Sequence, residues 1–479
     1  MKTPPTSPVD QANQSVAAAI PRANADPTRP SYHFLPPAFW MNDPNGPIFH
    51  NGWFHLFYQH NPYGDDWGHM HWGHTRSRDL VHWEHLPIAL WPSLDQGEEH
   101  VFSGCAWKDG TGQPMLFYTS VKVGEGDNRP VNEQWVARPL DVDLLTWEKH
   151  PANPILGLHH SGAPAFNGPW RDPFIFQDAG RTFLVVGGDF ENSAGVGLYE
   201  AQGDSLLHWH YHGLLVETSK DNLQFYECPN LVKIGNKWIL LTSPCKPTAK
   251  PIEYKVGNFD LKTLKFTVEQ EGVLDAGFSD LPNFYASNIV FDEQGHCILL
   301  GWLRGFAKER GWNGALALPR ILTIGDDGHP RQQPLPKLHQ LRGMVLDLGP
   351  QQVYDYGELD QSFGVPALEI EAKFRLGAAG DVGIYINGTR LLRYEAEANG
   401  GKLTIVDTEV VLGSDGDGYL DFQIFLDRST LEVFAKGGKV VVTRIIDTPT
   451  DCCALKFYSL GASCEVLSLK VWELKSIWE

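Results

Sequence analysis

Short β-type runs recur along this chain, and this recurrence constrains its fold more than any other feature of the sequence. From Tyr32 to about Arg342, brief apolar and aromatic runs are separated by Gly, Asn, Asp and Pro. Helical periodicity is not sustained over any long stretch, so the pattern favours repeated antiparallel sheets over alternating strands and helices. The clearest runs are WFHLFYQ (53–59), PMLFYTS (114–120), TFLVVGGD (182–189), KWILLTS (237–243) and HCILLGW (296–302).

Repeated small sheets predict a β-propeller. Radial repetition leaves only short strand edges exposed, and it brings strand ends from different sheets together around a central funnel. We therefore predict an all-β protein whose first domain, over residues 32–335, is a propeller. The runs are irregularly spaced, so their spacing does not predict the number of blades. Residues 1–31 contain Pro, Ser, Asn and Ala, and we expect them to form a flexible lead-in.

A change of texture after the Pro-rich stretch PRQQPLPKLHQLR (330–342) predicts a second domain. The Trp density falls there, and alternating runs such as ALEIEAKFRL (367–376) and LDFQIFLD (420–427) take over. Alternation gives each strand one buried and one solvated face, which two packed sheets satisfy. We expect a linker over residues 336–345 and a β-sandwich over residues 346–479.

Composition narrows the range of partners. The chain has 39 Lys plus Arg against 58 Asp plus Glu, a formal net charge of −19. An acidic surface repels phosphate backbones and anionic lipids, so neither nucleic acid nor a membrane is an expected partner. The 16 Trp residues suggest a sugar ligand, because flat aromatic rings stack on the C–H faces of sugar rings. For any single Trp, a place in the core is the commoner role.

The seven cysteines form an odd set without a CxxC pair, which predicts reduced thiols rather than a zinc site or a disulfide framework. Residues 1–30 contain no apolar segment of signal-peptide length, and no run approaches the length of a membrane-spanning helix. We expect either a cytoplasmic protein, which this pattern favours, or a secreted protein whose signal peptide has been removed. The sequence leaves the oligomeric state open.

Three carboxylates stand in unusual local settings. Each has aromatic residues just before it and proline or Cys-Pro just after it. Because proline fixes its own φ and favours an extended conformation at the preceding residue, such a step holds a side chain in one direction. One Asp-Pro step is most often only a turn, but three in aromatic settings favour a functional site. They are Asp43 in WMNDPNG (40–46), Asp172 in WRDPF (170–174) and Glu227 in FYECPNL (225–231).

Glycoside cleavage with retention needs two carboxylates, one as nucleophile at the anomeric carbon and one as acid and then base. Asp43 is the better nucleophile, because Asn42 and Asn45 can donate hydrogen bonds that keep it ionised. Asp172, next to Arg171, is expected to stay charged and to hold sugar hydroxyls as the ring becomes oxocarbenium-like.

Glu227 is the better acid. Its sequence neighbours predict an apolar environment, and an apolar environment favours the protonated form of a carboxyl group. These neighbours are Phe225, Tyr226, Cys228 and Pro229.

The motifs occur in an order that resembles family 32 of the glycoside hydrolases, which contains the invertases, levanases and inulinases. The match spans most of the chain, and it implies a five-bladed β-propeller followed by a C-terminal β-sandwich. It also implies retaining release of a terminal β-linked fructosyl unit from sucrose or a fructo-oligosaccharide. Further matching motifs are YQHNP (58–62), HWGHTRSRDLVHW (71–83), FSGC (102–105), NFYA (283–286), GWNGALALPR (311–320) and FLDRSTLEVF (425–434).

Carried over by motif, the resemblance assigns Asp43 as nucleophile, Glu227 as acid/base and Asp172 as transition-state stabiliser, in agreement with the roles inferred from local surroundings. It implies no cofactor and no metal. The residues it places in the fructosyl pocket are Trp40, Asn42, Gln59, Trp67, Phe102, Ser103, Arg171, Tyr285 and Trp302.

The sequence departs from the family pattern at two places. Cys105 stands where many relatives have serine, a change that we expect to be neutral. The segment DAGFSDLP (275–282) replaces the usual Gly-Arg-Asp form, so the resemblance implies no residues for the outer pocket at this segment.

The choice of leaving group is expected to lie in the loops KVGEGDNRP (122–130) and SPCKPTAKP (243–251). Lys246 and Lys250 are candidate contacts to the leaving sugar, although a solvated loop charge is the commoner case.

Four rival interpretations are compatible with the sequence. His69, His71 and His74 could bind a divalent ion, because His residues at i and i+2 on a strand face the same side, and loss of activity in EDTA would favour this reading. A propeller that binds sugars without cleaving them explains the aromatic residues, but it does not explain three carboxylates that are each followed by proline or Cys-Pro. The third rival is a related five-bladed glycosidase for arabinose or xylose polymers, which WMNDPNG and FLDRSTLEVF disfavour. The fourth is fructosyl transfer to an acceptor sugar at the same site.

Overall fold

A computed structural model of the chain describes residues 7–122, 131–157, 166–190, 193–221, 223–245, 249–376, 380–397, 400–413, 419–446 and 452–478. Contacts divide the chain into two compact units. The first contains the N-terminal residues up to Asp26, Phe34–Leu274 and Tyr285–His329. The second contains Pro27–His33, Asp275–Phe284 and the residues from Pro330 onward.

The first unit carries five sheets in its described residues, and each is built mainly from strands that follow one another in sequence. The sheets are β1–β4 with β19, then β5–β8, β9–β12 and β13–β16, and last β17 with β18, β20 and β21. The strands are β1 (Phe39–His50), β2 (Trp53–Asn61), β3 (His71–Ser77), β4 (Trp83–Leu90), β5 (His100–Lys108), β6 (Pro114–Lys122), β7 (Val131–Pro139), β8 (Trp147–Lys149), β9 (Phe166–Asp178), β10 (Arg181–Phe190), β11 (Ser193–Ala201), β12 (Trp209–Ser219), β13 (Phe225–Ile234), β14 (Lys237–Cys245), β15 (Glu253–Asp260), β16 (Lys265–Val273), β17 (Phe284–Phe291), β18 (Cys297–Leu303), β19 (Trp312–Asn313), β20 (Ala315–Leu316) and β21 (Arg320–Ile324).

The first strands of the five sheets meet in a closed cycle. Strand β1 contacts β5, β5 contacts β9, and β9 contacts β13. Two hydrogen bonds from β17 complete the cycle: the Asn288 amide donates to the carbonyl of Pro44 on β1 at 3.1 Å, and the Ser287 hydroxyl donates to Asn230 on β13 at 3.2 Å. Strand β19 pairs in parallel with β1, so a late segment completes the first sheet. The unit is the predicted propeller, and its five sheets equal the number of blades that the resemblance implies.

The burial patterns show that the sheets of the first unit are covered on both faces. Strands β2 and β6 are buried at eight of their nine positions, because a propeller sheet has other sheets on both of its faces. Large indole rings fill the space between sheets, and Trp72, Trp170, Trp209 and Trp312 are each at most 1% exposed. Core packing, the commoner role expected for a single Trp, therefore accounts for these four.

The N-terminal segment differs from the flexible lead-in that we expected. Helix α1 (Pro8–Asn24) begins at Ser7, whose hydroxyl accepts a hydrogen bond from the backbone of Asp10, and Pro8 follows at a position that favours proline. Ala12, Val16 and Ala23 are buried, which fixes the helix on the first unit. No helix in the described residues combines the length and apolar character that crossing a membrane requires.

The second unit contains two large sheets, which bears out the predicted β-sandwich. One has the order β23-β35-β26-β31-β32-β33 with β24 beside β35, and the other has the order β25-β34-β27-β28-β29-β30. Their strands are β23 (Arg342–Asp347), β24 (Gln351–Val353), β25 (Glu358–Phe363), β26 (Ala367–Leu376), β27 (Asp381–Ile386), β28 (Thr389–Glu397), β29 (Gly400–Ile405), β30 (Thr408–Gly413), β31 (Tyr419–Asp427), β32 (Thr430–Ala435), β33 (Val440–Ile445), β34 (Cys453–Leu460) and β35 (Cys464–Leu474). The short strand β22 (Pro330–Pro334) also belongs to this unit.

The motif FLDRSTLEVF anchors the segment Pro27–His33 to the sandwich. Asp427 and Glu432, both fully buried, bind the two ring nitrogens of His33 at 2.9 Å. The Asp427 carboxylate also accepts hydrogen bonds from the backbone of Ser31 and Tyr32, each at 2.8 Å. This part of the motif is therefore structural.

The unit boundaries also differ from the predicted ones. Residues 336–345, expected to be a linker, contain the 3₁₀ helix Pro336–Leu341 and the start of β23. Residues 275–284, expected to be propeller, belong to the second unit, where Asp275 accepts hydrogen bonds from the backbone and hydroxyl of Thr443. Long-range bonds of this kind leave no local trace in the sequence. A 3₁₀ helix from Leu94 to Gln96 is the remaining short helix in the described residues.

Candidate active site

Irregularities in strand pairing position all three candidate carboxylates. Asp43 on β1 lies in the gap in register between Met41 and Pro44, and Asp172 on β9 lies in the gap between Arg171 and Phe174. Glu227 on β13 directly precedes a third gap at Cys228-Pro229. Proline has no N–H to give to a ladder, so the strand bulges there, and a bulge turns a side chain out of its regular direction. The proline steps therefore help to turn the three carboxylates into one cavity.

At two of these bulges the backbone is not extended as the sequence predicted. Asp172 has a φ of 67° and Cys228 has a φ of 47°, both in the left-handed region. The surrounding bonds hold this conformation: the Asp172 backbone N–H donates to Thr119 Oγ1 at 3.0 Å, and the Cys228 N–H donates to Asp172 Oδ2 at 2.9 Å. Strained backbone held in this way is a recurrent feature of functional sites.

Asp43 is held by two donors. Ser103 Oγ donates to its Oδ2 at 2.5 Å, and Asn42 Nδ2 donates to its Oδ1 at 3.0 Å. Burial raises the pKa of Asp43 and nearby Glu227 adds to this, while the bonds from Ser103 and Asn42 oppose it. The expectation for Asn45 is wrong, because its buried Nδ2 donates to no group in the described residues, while its Oδ1 accepts from the Gly104 backbone at 3.2 Å.

Glu227 lies among polar groups and not in the apolar environment that its sequence neighbours predicted. Arg171 Nη2 donates to its Oε1 at 2.5 Å, and the Tyr285 hydroxyl donates to its Oε2 at 2.6 Å. The side chain keeps 20% of its surface exposed. The prediction failed because a strand alternates its faces, so residues adjacent in sequence are not those that surround a side chain.

Asp172 lies deeper, at 5% exposure. Burial raises its pKa to about 7; Arg171 opposes this shift, whereas Glu227 and Asp43 add to it. Arg171 thus lowers the pKa of Asp172 as the sequence predicted, but burial outweighs this effect, and the guanidinium forms its ion pair with Glu227. Burial opposes the charge of Arg171 as well, but Glu227 and Asp172 raise the pKa of Arg171 above its ordinary value.

A glycine allows Arg171 to reach Glu227. Gly187 on β10 lies opposite Arg171 in the ladder, and a Cβ at this position would come within 2.2 Å of the Tyr226 carbonyl oxygen on β13. The third and fourth sheets can approach each other this closely only because residue 187 has no side chain. The ion pair that joins the two sheets forms at this close approach.

The Cys228 thiol joins the two aspartates. Its Sγ lies 3.6 Å from Asp43 Oδ2 and 3.6 Å from Asp172 Oδ2. Burial and the nearby carboxylates raise the pKa of Cys228 well above its ordinary value, so the thiol stays a neutral donor. The sequence interpretation treated Cys228 only as an apolar neighbour of Glu227. All seven cysteines lie in the described residues, and they are free thiols as predicted.

A cavity of about 690 Å³ opens onto these groups. The structure brings together all twelve residues that the sequence singled out: Trp40, Asn42, Asp43, Gln59, Trp67, Phe102, Ser103, Arg171, Asp172, Glu227, Tyr285 and Trp302. Its wall also includes five residues that sequence reasoning missed: His100, Val121, Asn132, Pro169 and Arg304. His100 and Arg304 stand two residues from the quoted segments FSGC and HCILLGW, and Asn132 stands two residues after the loop KVGEGDNRP, so all three could have been noticed.

Aromatic rings form two walls of this cavity. Trp67, 53% exposed, lies 5.3 Å from the His100 ring and 6.0 Å from the Phe102 ring, measured between centroids. On another wall, Trp40 packs edge-on against Trp302 at 5.6 Å. An exposed indole beside a group of carboxylates and amides suits a polyhydroxylated ring.

Arg304 adds a positive charge to the Trp302 wall. Its guanidinium lies 4.8 Å from the centre of the Trp302 ring and 5.2 Å from that of Tyr285. Burial lowers the pKa of Arg304 from its ordinary value, and Tyr285 and Asp43 oppose this shift.

The two loops expected to choose the leaving group are only partly described. Residues 123–130 and 246–248, and with them Lys246, lie outside the described residues. Lys250 is exposed, and its backbone N–H donates to the Pro244 carbonyl at 2.9 Å.

The histidines considered as metal ligands have separate partners. His71 Nδ1 faces the carbonyl oxygen of His69, and His74 Nε2 lies 3.0 Å from His55 Nδ1. Among the described residues, the one group of three potential ligand side chains within mutual reach is His339, Glu369 and Glu371, in the second unit. Arg342 already forms ion pairs with both of those carboxylates.

Comparison with known proteins gives a consistent result over both units. The model for the N-terminal domain of glycosyl hydrolases family 32 matches residues 33–334, and the model for the C-terminal region of the same family matches residues 357–473. A sucrose-6-phosphate hydrolase of Escherichia coli is 27% identical over 97% of this chain and 98% of its own length. An extracellular exo-inulinase of Aspergillus awamori is 30% identical over 94% of this chain and 95% of its own length.

A solved structure shows the same arrangement. The β-fructofuranosidase of Bombyx mori superimposes with a TM-score of 0.81 at 27% identity, and 98% of each chain is covered. Because the two family models together match most of the chain, this protein belongs to family 32 of the glycosyl hydrolases.

Proposed function

We propose that this protein is a retaining β-fructofuranosidase that releases terminal fructose from sucrose or short fructans. One observation carries the proposal: three carboxylates from three different sheets line a single cavity with aromatic walls. The relatives support the substrate class, since they include a raffinose invertase, a levanase and exo-inulinases.

The two more accessible carboxylates take the reacting roles. In the first step Glu227 gives a proton to the glycosidic oxygen while the bond from this oxygen to the fructosyl C2 breaks, and an Asp43 oxygen forms a bond to C2. In the second step Glu227 takes a proton from water, the water oxygen bonds to C2, and Asp43 leaves with its electron pair. General acid/base help of this kind is worth about 10² to 10⁴ in rate.

The surroundings of each group suit these roles. The bonds from Ser103 and Asn42 orient Asp43 toward the cavity and stabilise its anion as it leaves C2. Burial raises the pKa of both Asp43 and Asp172, so this group of carboxylates binds a proton more readily than separate carboxylates in water would. Asp172 lies beneath the cavity, where it can accept hydrogen bonds from fructosyl hydroxyls that become more acidic as charge develops on the ring.

A product time course tests the proposal. The wild type is incubated with sucrose, a short inulin series and levan, and free glucose and fructose are measured separately. Hydrolysis of sucrose gives equal amounts of the two sugars, whereas transfer to an acceptor gives more free glucose than free fructose. A protein that binds these sugars without releasing fructose would be a sugar-binding propeller, and release only from aryl arabinosides or xylosides would place it with the pentosidases.

Substitution of Glu227 tests the division of roles. We expect Glu227→Gln to lose about 10² to 10⁴ in kcat/KM on sucrose but much less on an aryl β-fructofuranoside, whose leaving group needs no proton. Glu217→Gln, at an exposed position on β12, is the matched control. Equal losses on the two substrates would show that Glu227 is not the acid.

A further inference from the structure

Two buried polar atoms in the cavity wall have no hydrogen-bond partner in the described part of the chain: Asn132 Oδ1 and Trp302 Nε1. The sequence placed Trp302 in the fructosyl pocket, but nothing in the mechanism uses Asn132. Its side chain is 3% exposed, so water does not solvate it freely. An unpaired buried acceptor is costly, and native proteins rarely keep one without a reason.

The other amides of the cavity do not share this feature. Asn42 accepts from Trp40 Nε1 at 2.7 Å and donates to Asp43, and Gln59 Nε2 donates to the Val101 carbonyl at 3.0 Å. Asn132 is thus the cavity amide whose oxygen is both buried and without a donor in the described residues.

Strand register places Asn132 away from the reacting carboxylates. His100 on β5 pairs with Val121 on β6, and Val121 pairs with Asn132 on β7, so the three residues form one row across the sheet. All three line the cavity. Ser103, which binds Asp43, lies three residues further along β5, and three strand residues span about 10 Å.

This offset separates two parts of the cavity. The part at the level of Ser103 holds the fructosyl ring, because C2 must meet Asp43 there. The part beside His100, Val121 and Asn132 lies farther toward the outer strands of the second sheet. The leaving sugar, on the other side of the glycosidic bond, would occupy this part.

We propose that Asn132 is a specificity-determining residue that accepts a hydrogen bond from a hydroxyl group of the leaving sugar. This inference rests on the proposed function, and it names which wall of the cavity recognises the leaving group. When substrate binds, a sugar O–H replaces its bond to water with a bond to Asn132 Oδ1, and the buried acceptor is satisfied. An aglycone without hydroxyl groups leaves the acceptor unpaired.

Asn132→Leu tests the role because leucine has a similar size and no acceptor. If the amide oxygen serves only the ligand, the variant loses about threefold to tenfold in kcat/KM on sucrose, the equivalent of one neutral hydrogen bond. An aryl β-fructofuranoside is hydrolysed within twofold of the wild-type rate. Inhibition by the product glucose weakens by a similar threefold to tenfold, whereas inhibition by fructose is unchanged. The melting temperature stays close to the wild-type value, since the buried acceptor that is removed has no donor in the described residues.

The control variant is Asn258→Leu, at an exposed position on β15, which is expected to change none of these kinetic quantities. A structural role for Asn132 predicts the opposite pattern: a lower melting temperature and equal losses on sucrose and the aryl fructoside. Unchanged sucrose kinetics and glucose inhibition would also overturn the inference, while the proposed function would stand. If the wild type itself released no fructose, the proposed function and this inference would both fail.

Discussion

Replacing Asp172 with Asn should inactivate the enzyme and at the same time make the first unit more stable. Asp172 is 5% exposed, and burial together with Glu227 and Asp43 raises its pKa from 3.8 to about 7 against the opposing effect of Arg171. A carboxyl group with a raised pKa in the folded state holds its proton more tightly there than in the unfolded chain. Stability is therefore lost as the pH rises from about 4 to about 7.

The size of the effect follows from the shift. A change from 3.8 to about 7 corresponds to at most about 4 kcal/mol of destabilisation at pH 7. Since the proton is shared with the neighbouring carboxylates, we expect Asp172→Asn to recover about 1 to 3 kcal/mol. Asn can still accept the hydrogen bond that the Cys228 backbone donates. For a unit of roughly 300 residues this gain corresponds to a rise in Tm of about 2 to 5 °C.

Calorimetric melts of the wild type and Asp172→Asn at pH 7.5 and pH 4 provide the assay. The gain in Tm should appear at pH 7.5 and shrink to a small fraction at pH 4, where Asp172 is protonated in the folded state and about half protonated in the unfolded chain. Asp143→Asn, at an exposed turn, is the control and should change neither value. A Tm gain of equal size at both pH values would refute the electrostatic reasoning, as would a lower Tm at pH 7.5.

Two further predictions concern Tyr285 and His33. Tyr285→Phe removes one of the two donors to Glu227 and should lower kcat/KM on sucrose about tenfold. The loss on an aryl β-fructofuranoside should be smaller. An equal loss on both substrates would contradict a role of Tyr285 in positioning the acid. His33 is fully buried, and although burial lowers its pKa, the bonds to Asp427 and Glu432 raise it from 6.5 to about 9. The stability that this pairing gives the sandwich is complete below about pH 6.5 and is lost as the pH rises through about 9. Thermal melts from pH 6 to pH 10 that show no such loss would contradict this account.

The sequence predicted the strands well because each is a short run with clear ends. The carboxylates could be found because each stands beside a proline that interrupts the strand ladder. The conformation at those positions could not be predicted, since the left-handed φ of Asp172 depends on bonds to Thr119 and Cys228 that lie far away in the sequence.

Other failures have the same physical origin. The environment of Glu227 is set by Arg171 and Tyr285, which are 56 and 58 residues away in sequence. Asn132 is one polar residue in a strand, and only the register of three strands shows that it reaches the cavity. Helix α1 is a different case, because Ser7 followed by Pro8 is a local start signal that could have been used.

The most direct test of the account is to identify the residue that becomes covalently linked to fructose. Glu227→Gln should still accept a fructosyl unit from an aryl β-fructofuranoside, but it lacks the base that activates water, so the intermediate accumulates. After acid quenching and proteolysis, mass spectrometry should find one anhydrofructosyl unit on the peptide that contains Asp43, and none in the variant that also carries Asp43→Asn. A label on another residue, or rapid turnover without any label, would contradict the proposal that Asp43 attacks a sugar held between these three carboxylates.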